Sequence, residues 1–364
     1  MSLLTETVST VVSSQQSVSY ESSVVNLNTS SIVVLNEFIL GSQKVTPLYP
    51  VVVVTNTGYQ LWTSLVSQNF FNTPAIYVPP SLKSALDVAG NKQFWIAVGE
   101  QISNQGDVMF LSSDGFSWIV HPAPPVSNII SAIAYHNNLW VCTSQDPTRF
   151  YWSEDGISWA PNTVGSYAFT VKVFAITHAQ DKWVAVGDSS TATQAYSLDG
   201  KLWKAASGVF MDEANAVAGS DTLFVAVGVS NNGDGPNMLV SPDGITWTTP
   251  LLPPAHTNGY GVAVNSTGTT WVAAGENGPL YYSYDGLVWT ATEFTDFRGV
   301  SVCWDGQKFL AYGTVVSPTP PPPPFNVAYS YDGINWLLNT SVITDDPTFF
   351  VAKVNKERAS LALL

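Results

Sequence analysis

Positive charge is scarce in this chain. Among 364 residues there are 13 Lys and Arg against 27 Asp and Glu, a formal charge of −14, and charged residues of both signs make up only 11%. Nucleic-acid binding draws on clustered Lys and Arg that release counterions from phosphates. Their absence argues against a polynucleotide partner and against adhesion to an anionic membrane. Cysteine is nearly absent as well: Cys142 and Cys303 cannot make a disulfide framework, and both are expected to be buried free thiols. Long apolar runs are missing; Val51–Val54 and Phe94–Val98 are strand-sized, far below the ~18 residues of a membrane span. The first residues, Met1 to Glu6, lack a basic segment and a continuous apolar core, so they do not read as a signal peptide. The four histidines (121, 136, 178 and 256) are isolated, without paired metal-ligand spacing. No Gly-x-Ser-x-Gly elbow occurs, and Gly233-Asp234-Gly235 reads as loop punctuation.

What the chain does have is repetition. Ser-x-Asp-Gly-x-x-Trp occurs six times, with the acid and indole at Asp114/Trp118, Asp155/Trp159, Asp199/Trp203, Asp243/Trp247, Asp285/Trp289 and Asp332/Trp336. The tryptophans lie 41, 44, 44, 42 and 47 residues apart. A period in the forties is the mark of a propeller or array whose units are single supersecondary motifs. Repeats stack into one body, which overrides a two-domain reading from length. Upstream of each box stands a second matching run, such as Trp95–Gly99, Trp183–Gly187 and Trp271–Gly275, and before it a stretch of small and β-branched residues such as Val262–Val264. Each unit therefore offers four short strands, A to D, with the small-residue A strand suited to the crowded centre. The box joins C to D. Asp-Gly between alternating runs predicts a type I′ hairpin with positive φ at both central residues. The Asp is expected to accept backbone N–H groups, and the Trp to point off strand D and fill the seam to a neighbouring sheet.

On these six boxes the sequence resembles the Asp-box (BNR-repeat) β-propellers, a family that includes sialidases, some xyloglucan-cleaving glycosidases, sortilin-type receptor domains and photosystem II assembly factors. The resemblance spans residues 50–340 and implies an all-β propeller. One departure is visible: the family's box places a residue between Asp and Gly, and here the two are adjacent in every copy.

The expected architecture is seven four-stranded blades, with six as the runner-up. Val51–Thr55, Gly58 and Trp62 read as a degenerate box, with Ile32–Leu35 and Phe38–Gln43 as the A and B strands before it. Phe349–Val354 reads as a further innermost strand and Leu361–Leu364 as its partner, so the C-terminus would complete the first blade and close the ring. Residues 1–23, rich in Ser, Val and Thr, read as an N-terminal arm available for oligomerisation, and 24–364 as one propeller domain.

In such a blade the C–D boxes and A–B turns share one face, and the variable B–C and D–A loops share the other. Loops that vary over a rigid scaffold are where binding sits. Three B strands end in Gly followed by an acid, which would bring Glu100, Asp188 and Glu276 to the channel mouth in separate blades, with Asp146 and Asp234 nearby. Such a ring suits a cation or a hydroxyl-rich ligand; its plain alternative is a set of acids that start polar loops. Arg149 and Arg298 fall on the same face, and Tyr167, Tyr260 and Phe297 are candidates for a ligand shelf. The proline run Pro318–Pro324, broken by Thr319, reads as an extended spike in the longest B–C loop, either a rigid spacer or a docking segment.

Enzyme readings fare less well. A sialidase converges three arginines on a carboxylate; this chain has three in all, and Arg358 is near the terminus. The family's Phe/Tyr-Arg-Ile-Pro motif is absent, with Phe297-Arg298-Gly299-Val300 a poor echo. A paired-carboxylate glycosidase needs only two acids flanking a sugar, and Glu100, Asp188 and Glu276 are its first suspects. The expected function is a non-catalytic scaffold for protein or glycan partners, without a cofactor. A glycosidase and a virion or extracellular structural subunit are the alternatives, and the compartment stays open.

Overall fold

The computed structural model is all-β. Side chains are described from Ala85 to Leu338, apart from residues 92, 101–107, 114–117, 125–128, 146–148, 164–166, 168, 231–235, 255–257, 277 and 316–326; outside that span only strands are described. The chain divides into two compact units, Met1–Tyr49 with Arg358–Leu364, and Pro50–Glu357. The first contains an antiparallel meander of Leu4–Val11, Ser17–Leu27, Ser30–Leu40 and Gln43–Val45. The boundary expected at residues 23 and 24 thus falls inside a strand. Ile32–Leu35 and Phe38–Gln43, expected as blade strands, belong to this meander.

The second unit is a propeller. Its inner strands are β1 (Leu82–Gly90), β2 (Ile130–His136), β3 (Lys172–Ala179), β4 (Glu213–Gly219), β5 (Gly259–Val264), β6 (Phe297–Trp304) and β7 (Phe350–Lys353). Each heads an antiparallel sheet that runs outward, as β3 does through Lys182–Asp188, Gln194–Ser197 and Trp203–Ala205. The inner strands adjoin one another in sequence order, and β7 adjoins both β6 and β1, so the circle closes. Closure comes as expected from the C-terminus: β7 pairs with Pro50–Thr55, which pairs with Leu61–Leu65 and then Ala75–Tyr77. This corrects the degenerate box, because Trp62 lies within the third strand of its sheet and not beyond the C–D turn. Leu361–Leu364 lies outside the described residues.

The core is a series of inter-blade seams. Trp203 of the β3 blade stacks on Phe150 of the β2 blade, centroids 3.9 Å apart and planes at 9°, among Val141, Trp183, Ala185 and Ala195. Trp247, Trp289 and Trp336 fill the same position in the following seams. Small residues on the inner strands let neighbouring blades approach there, and apolar packing at interior density supplies most of the stability.

Of the described box tryptophans, Trp159 fits the expected role least well. Trp118 is buried, and the described core residues around it are Ala85, Val88, Trp95, Ala97 and Phe110 of its own β1 blade; the side chains of the preceding blade lie outside the described residues. Trp159 lies against the β1–β2 seam and is only partly buried there. Phe94 stacks on Trp140 at 5.2 Å, and Tyr135 packs on the same ring at 4.7 Å, so the box end of that seam is already filled with aromatic rings. The Nε1 atoms of Trp159 and Trp247 have no hydrogen-bond partner among the described residues, whereas the indoles of Trp203, Trp289 and Trp336 donate to their box glycine carbonyls at 3.2, 2.9 and 3.0 Å.

The box is built differently from a type I′ turn. Positive φ is confined to its glycine, for example +75° at Gly156 and +71° at Gly200. The Asp instead works as an acceptor: Asp155 Oδ1 takes the N–H groups of Ile157 and Ser158 at 2.8 and 2.7 Å and the Ser153 hydroxyl at 2.8 Å. Asp285 and Asp332 repeat the pattern. The adjacent glycine abuts the preceding blade; a Cβ on Gly200 would stand 2.6 Å from Leu139 and one on Gly286 2.4 Å from Leu223. Paired positive φ occurs at the A–B turns, at Asn137-Asn138 (44° and 61°) and Gln180-Asp181 (51° and 53°). The short-turn chemistry expected of the box therefore sits beside it, on the same face.

Crossovers guard the outer edges. Ser207 and Gly208, leaving the β3 blade, pair in parallel with Thr246 and Trp247 of the next, and Leu252 pairs likewise with Val288. From the β1 blade, His121 Nε2 donates to the Gly156 carbonyl at 2.6 Å. Occupied edges cannot recruit another strand. Both cysteines are buried free thiols, and burial raises their pKa values.

Candidate functional site: the channel mouth

The mouth is set by a bulge near the start of the inner strands, between Val173 and Ala175 in β3, Ala214 and Ala216 in β4, and Gly299 and Ser301 in β6. The bulged backbone presses on the neighbouring strand. A Cβ at Gly187, Gly228 or Gly313 would stand 2.0, 2.0 or 1.9 Å from the carbonyl oxygen of Lys172, Glu213 or Arg298. That close approach explains why B strands end in glycine. The residue after the glycine then reaches the mouth beside the first residue of an inner strand.

Four such positions carry charge or strong polarity. Lys172 faces Asp188, Glu213 faces Val229, Arg298 faces Thr314, and Glu276 follows Gly275 with its N–H on the Asn258 carbonyl. Blades also join here: Glu100 bridges to Ile129, Asp188 pairs with Glu213, and Val229 bridges to Asn258. Bonding between blades at this end gives a rigid rim for side chains of unlike chemistry.

The electrostatics are uneven. Glu276 Oε2 accepts Asn258 Nδ2 at 2.6 Å and the Tyr260 hydroxyl at 3.2 Å, so this carboxylate is held. Burial and the Glu276 charge push the Tyr260 hydroxyl pKa up. Glu213 is pushed up by burial and then by the Asp188 carboxylate, with Lys172 opposing. Lys172 is pushed down by burial, against the pull of Glu213 and Glu100. Half-buried like charges are thus set against each other at the junction of two blades.

The residues singled out from sequence distribute as follows. Glu100, Asp188 and Glu276 stand at the ends of the second strands of the β1, β3 and β5 blades, Glu100 one residue before the end, Asp188 at it and Glu276 just past it. Among the described residues no group of three or more His, Cys, Asp or Glu is placed to hold a metal ion. Arg149 and Arg298 are exposed in separate blades, and Arg149 lies against the Tyr151 hydroxyl. Asp114, Asp146, Asp234 and the proline run lie outside the described residues. Two shelf candidates are corrected. Phe297 is fully buried in the β5–β6 seam, because the alternation of β6 turns it inward. Tyr167 has its hydroxyl committed to the Ala192 carbonyl at 2.7 Å, so it closes a loop. Lys172 and Glu213 escaped the sequence reading, because they open small-residue inner strands and share no motif. Their register signal, the first residue before a bulged A strand, is visible only once the pairing is known.

No family model matches the chain, and no curated protein does. Solved structures do. A structure of YCF48 bound to a D1 peptide matches at 13% identity and a TM-score of 0.52, covering 71% of this chain and 81% of that one. U3-55K matches at 9% identity and 0.53, covering 74% and 89%. A computationally designed protein, Ika8, matches at 10% identity and 0.51, covering 83% and 89%. Likeness at this identity establishes a shared β-propeller fold and nothing narrower.

Proposed function

We propose that this chain is a seven-bladed, Asp-box-type propeller that acts as a non-catalytic scaffold, binding a protein partner through the face that carries the B–C and D–A loops. One observation supports it above others. Repeat-equivalent positions at the mouth hold Ile129, Lys172, Glu213, Asn258 and Arg298, five unlike residues, where the opposite face repeats one solution. A propeller of the same fold, YCF48, has been seen with a peptide bound. Closed rings with varied loops at one mouth suit recognition of extended segments. Selection of peptides from an unbiased display library on the full chain tests the reading. Selected peptides should lose binding when mouth residues such as Tyr260 or Glu213 are substituted and keep it when box-face residues such as Leu198 or Tyr284 are. The reverse pattern sinks it. Enrichment of glycans on an array, with no peptide selected, would replace the protein partner with a sugar. Residues 1–23 serve oligomerisation in this reading; their removal should lower the mass measured in solution.

A second reading keeps an observation of its own. Glu213, raised by burial and by the neighbouring Asp188 charge, has the raised carboxyl that glycosidases use as an acid. Hydrolysis of aryl glycosides that Glu213→Gln abolishes would establish it.

A further inference from the structure

The seam between the β3 and β4 blades ends at the mouth in an incomplete polar cluster. Asp188 and Glu213 are half-buried neighbours. Among the described residues neither carboxylate makes a side-chain hydrogen bond or an ion pair. Gln194 is 0% exposed, and both its amide oxygen and its amide nitrogen lack a partner. Gln194 pairs with Val186, which is two residues from Asp188 on one strand, so pleating turns the amide and the Asp188 side chain to the same face. That face packs on the β4 blade, where Val186 meets Ala214 and Met211. Gln194 and Asp188 therefore share one face, Glu213 of the next blade pairs with Asp188 at the mouth, and none of the three side chains is satisfied. Buried amides are rarely left so. Like charges brought together are costly unless a cation joins them.

We propose that this end of the seam is a subsite for the guanidinium of an arginine carried by the partner protein, held by Asp188 and Glu213 and reaching the Gln194 amide oxygen. The proposal rests on the reading that the mouth face binds protein. A guanidinium is flat and offers five donors, which matches two carboxylates and an amide oxygen better than the point charge of an ammonium. The chain's own Lys172 lies within electrostatic reach of Glu213 and makes no ion pair with it. A metal ion is poorly served, given the lack of a three-ligand group among the described residues. The charge of −14 favours a basic segment in general, and the subsite gives that attraction an address.

The test uses the full chain and a fluorescent hexa-arginine peptide, with hexa-citrulline as its uncharged isostere, followed by anisotropy. Hexa-arginine should bind, and hexa-citrulline should not. The double variant Asp188→Asn with Glu213→Gln should weaken binding about tenfold or more, as loss of charge-assisted hydrogen bonds implies. The control Asp181→Asn with Asp221→Asn, on exposed A–B turns of the other face, removes the same charge and should change affinity by no more than about twofold. Gln194→Leu should weaken binding while leaving the melting temperature at or above that of the parent. The Asp188/Glu213 variant should also melt no lower, because it relieves repulsion; a fall would make the acids structural and overturn the proposal. Equal binding by the two double variants, binding of hexa-citrulline, or no binding of hexa-arginine overturns it too. Library peptides that map to the mouth without needing arginine would remove this inference and leave the scaffold reading standing. Peptides that map to the box face would remove both.

Discussion

The two ends of this propeller answer the same geometric problem in opposite ways. On the box face the described boxes end in turns whose carboxylate is saturated: Asp155 takes two backbone N–H groups and a serine hydroxyl, and these bonds hold its pKa well below the usual carboxylate range. At Asp332 burial works the other way, yet bonds from Asn335, Ile334 and Ser330 bring the pKa to about 2. At the mouth, Asp188 and Glu213 sit together without such bonds, and burial pushes Glu213 up. Acidic side chains at one end are hinges of the fold. At the other they are a cost that the fold tolerates, which is how functional positions trade against stability.

Substitutions can break that comparison, and the largest effects belong to the seams. Trp203→Ala removes the ring stacked on Phe150 and should cost about 3–5 kcal/mol in denaturant unfolding. A loss under about 1 kcal/mol would mean that the seam collapses around the gap. Next comes Gly187→Ala, where the added methyl meets the Lys172 carbonyl at 2.0 Å. We expect about 2–3 kcal/mol from main-chain displacement, with the mouth distorted as well. Asp285→Ala strips the box turn of its acceptor and should lower stability by about 1–3 kcal/mol, while peptide binding at the mouth stays as it was. Asp188→Asn is expected at the far end of the scale, with stability unchanged or raised. A loss like that of Asp285→Ala would erase the distinction between the two faces.

Acid titration sharpens the same contrast. Because Asp332 has a folded pKa depressed to about 2, its contribution is complete above the unfolded carboxylate value and is lost as pH falls through the folded one. Asp332→Asn should flatten the stability profile in that acid range, with the loss relative to the parent greatest near neutrality, where the contribution is complete, and vanishing at low pH. His178 is depressed from 6.5 to about 4, by burial first and then by the stacked His136 ring 3.6 Å away, with Asp181 opposing. Its contribution is full above pH 6.5 and declines as pH drops toward 4. Unfolding of a His178→Phe variant should lose that part of the slope.

Much of this was legible in advance, and the limits have definite causes. The six boxes announced the repeat, the order of four strands per unit and the use of Trp203, Trp247, Trp289 and Trp336 as seam residues. They also indicated which end of each blade would be regular. A shared motif does not guarantee a shared depth, however: Trp159 stays at the margin of its seam because Phe94 and Tyr135 fill the space around Trp140. The turn type was misjudged because Asp-Gly is a hairpin signal only when nothing else claims the carboxylate; here the Asp oxygen does the work and positive φ is left to the glycine. Trp62 was assigned to the wrong strand because its neighbourhood has no box, and without a box the strand count loses its ruler. Phe297 looked like a loop residue because the start of an inner strand is marked by pairing, not by composition.

The candidate site was only half visible. Glu100, Asp188 and Glu276 stood out because each follows a glycine that recurs. The glycine recurs for a structural reason, the bulge pressing against it, so the recurrence located the mouth without showing what happens there. Lys172 and Glu213 have no recurring neighbour, and Gln194 resembles any other polar residue at the head of a strand.

By itself, the sequence determined everything that is local and repeated: β structure, a unit of four strands, tight turns at the boxes, glycine where backbone approaches backbone. Each follows from short-range sterics and hydrogen bonding that a heptapeptide already encodes. Tertiary structure alone decided that Asp188 of one blade meets Glu213 of the next above an unsatisfied Gln194. Those residues come from different repeats, their meeting depends on the register between blades, and desolvation at the seam gives Glu213 its energetic tension. Short-range patterns carry no information about that juxtaposition.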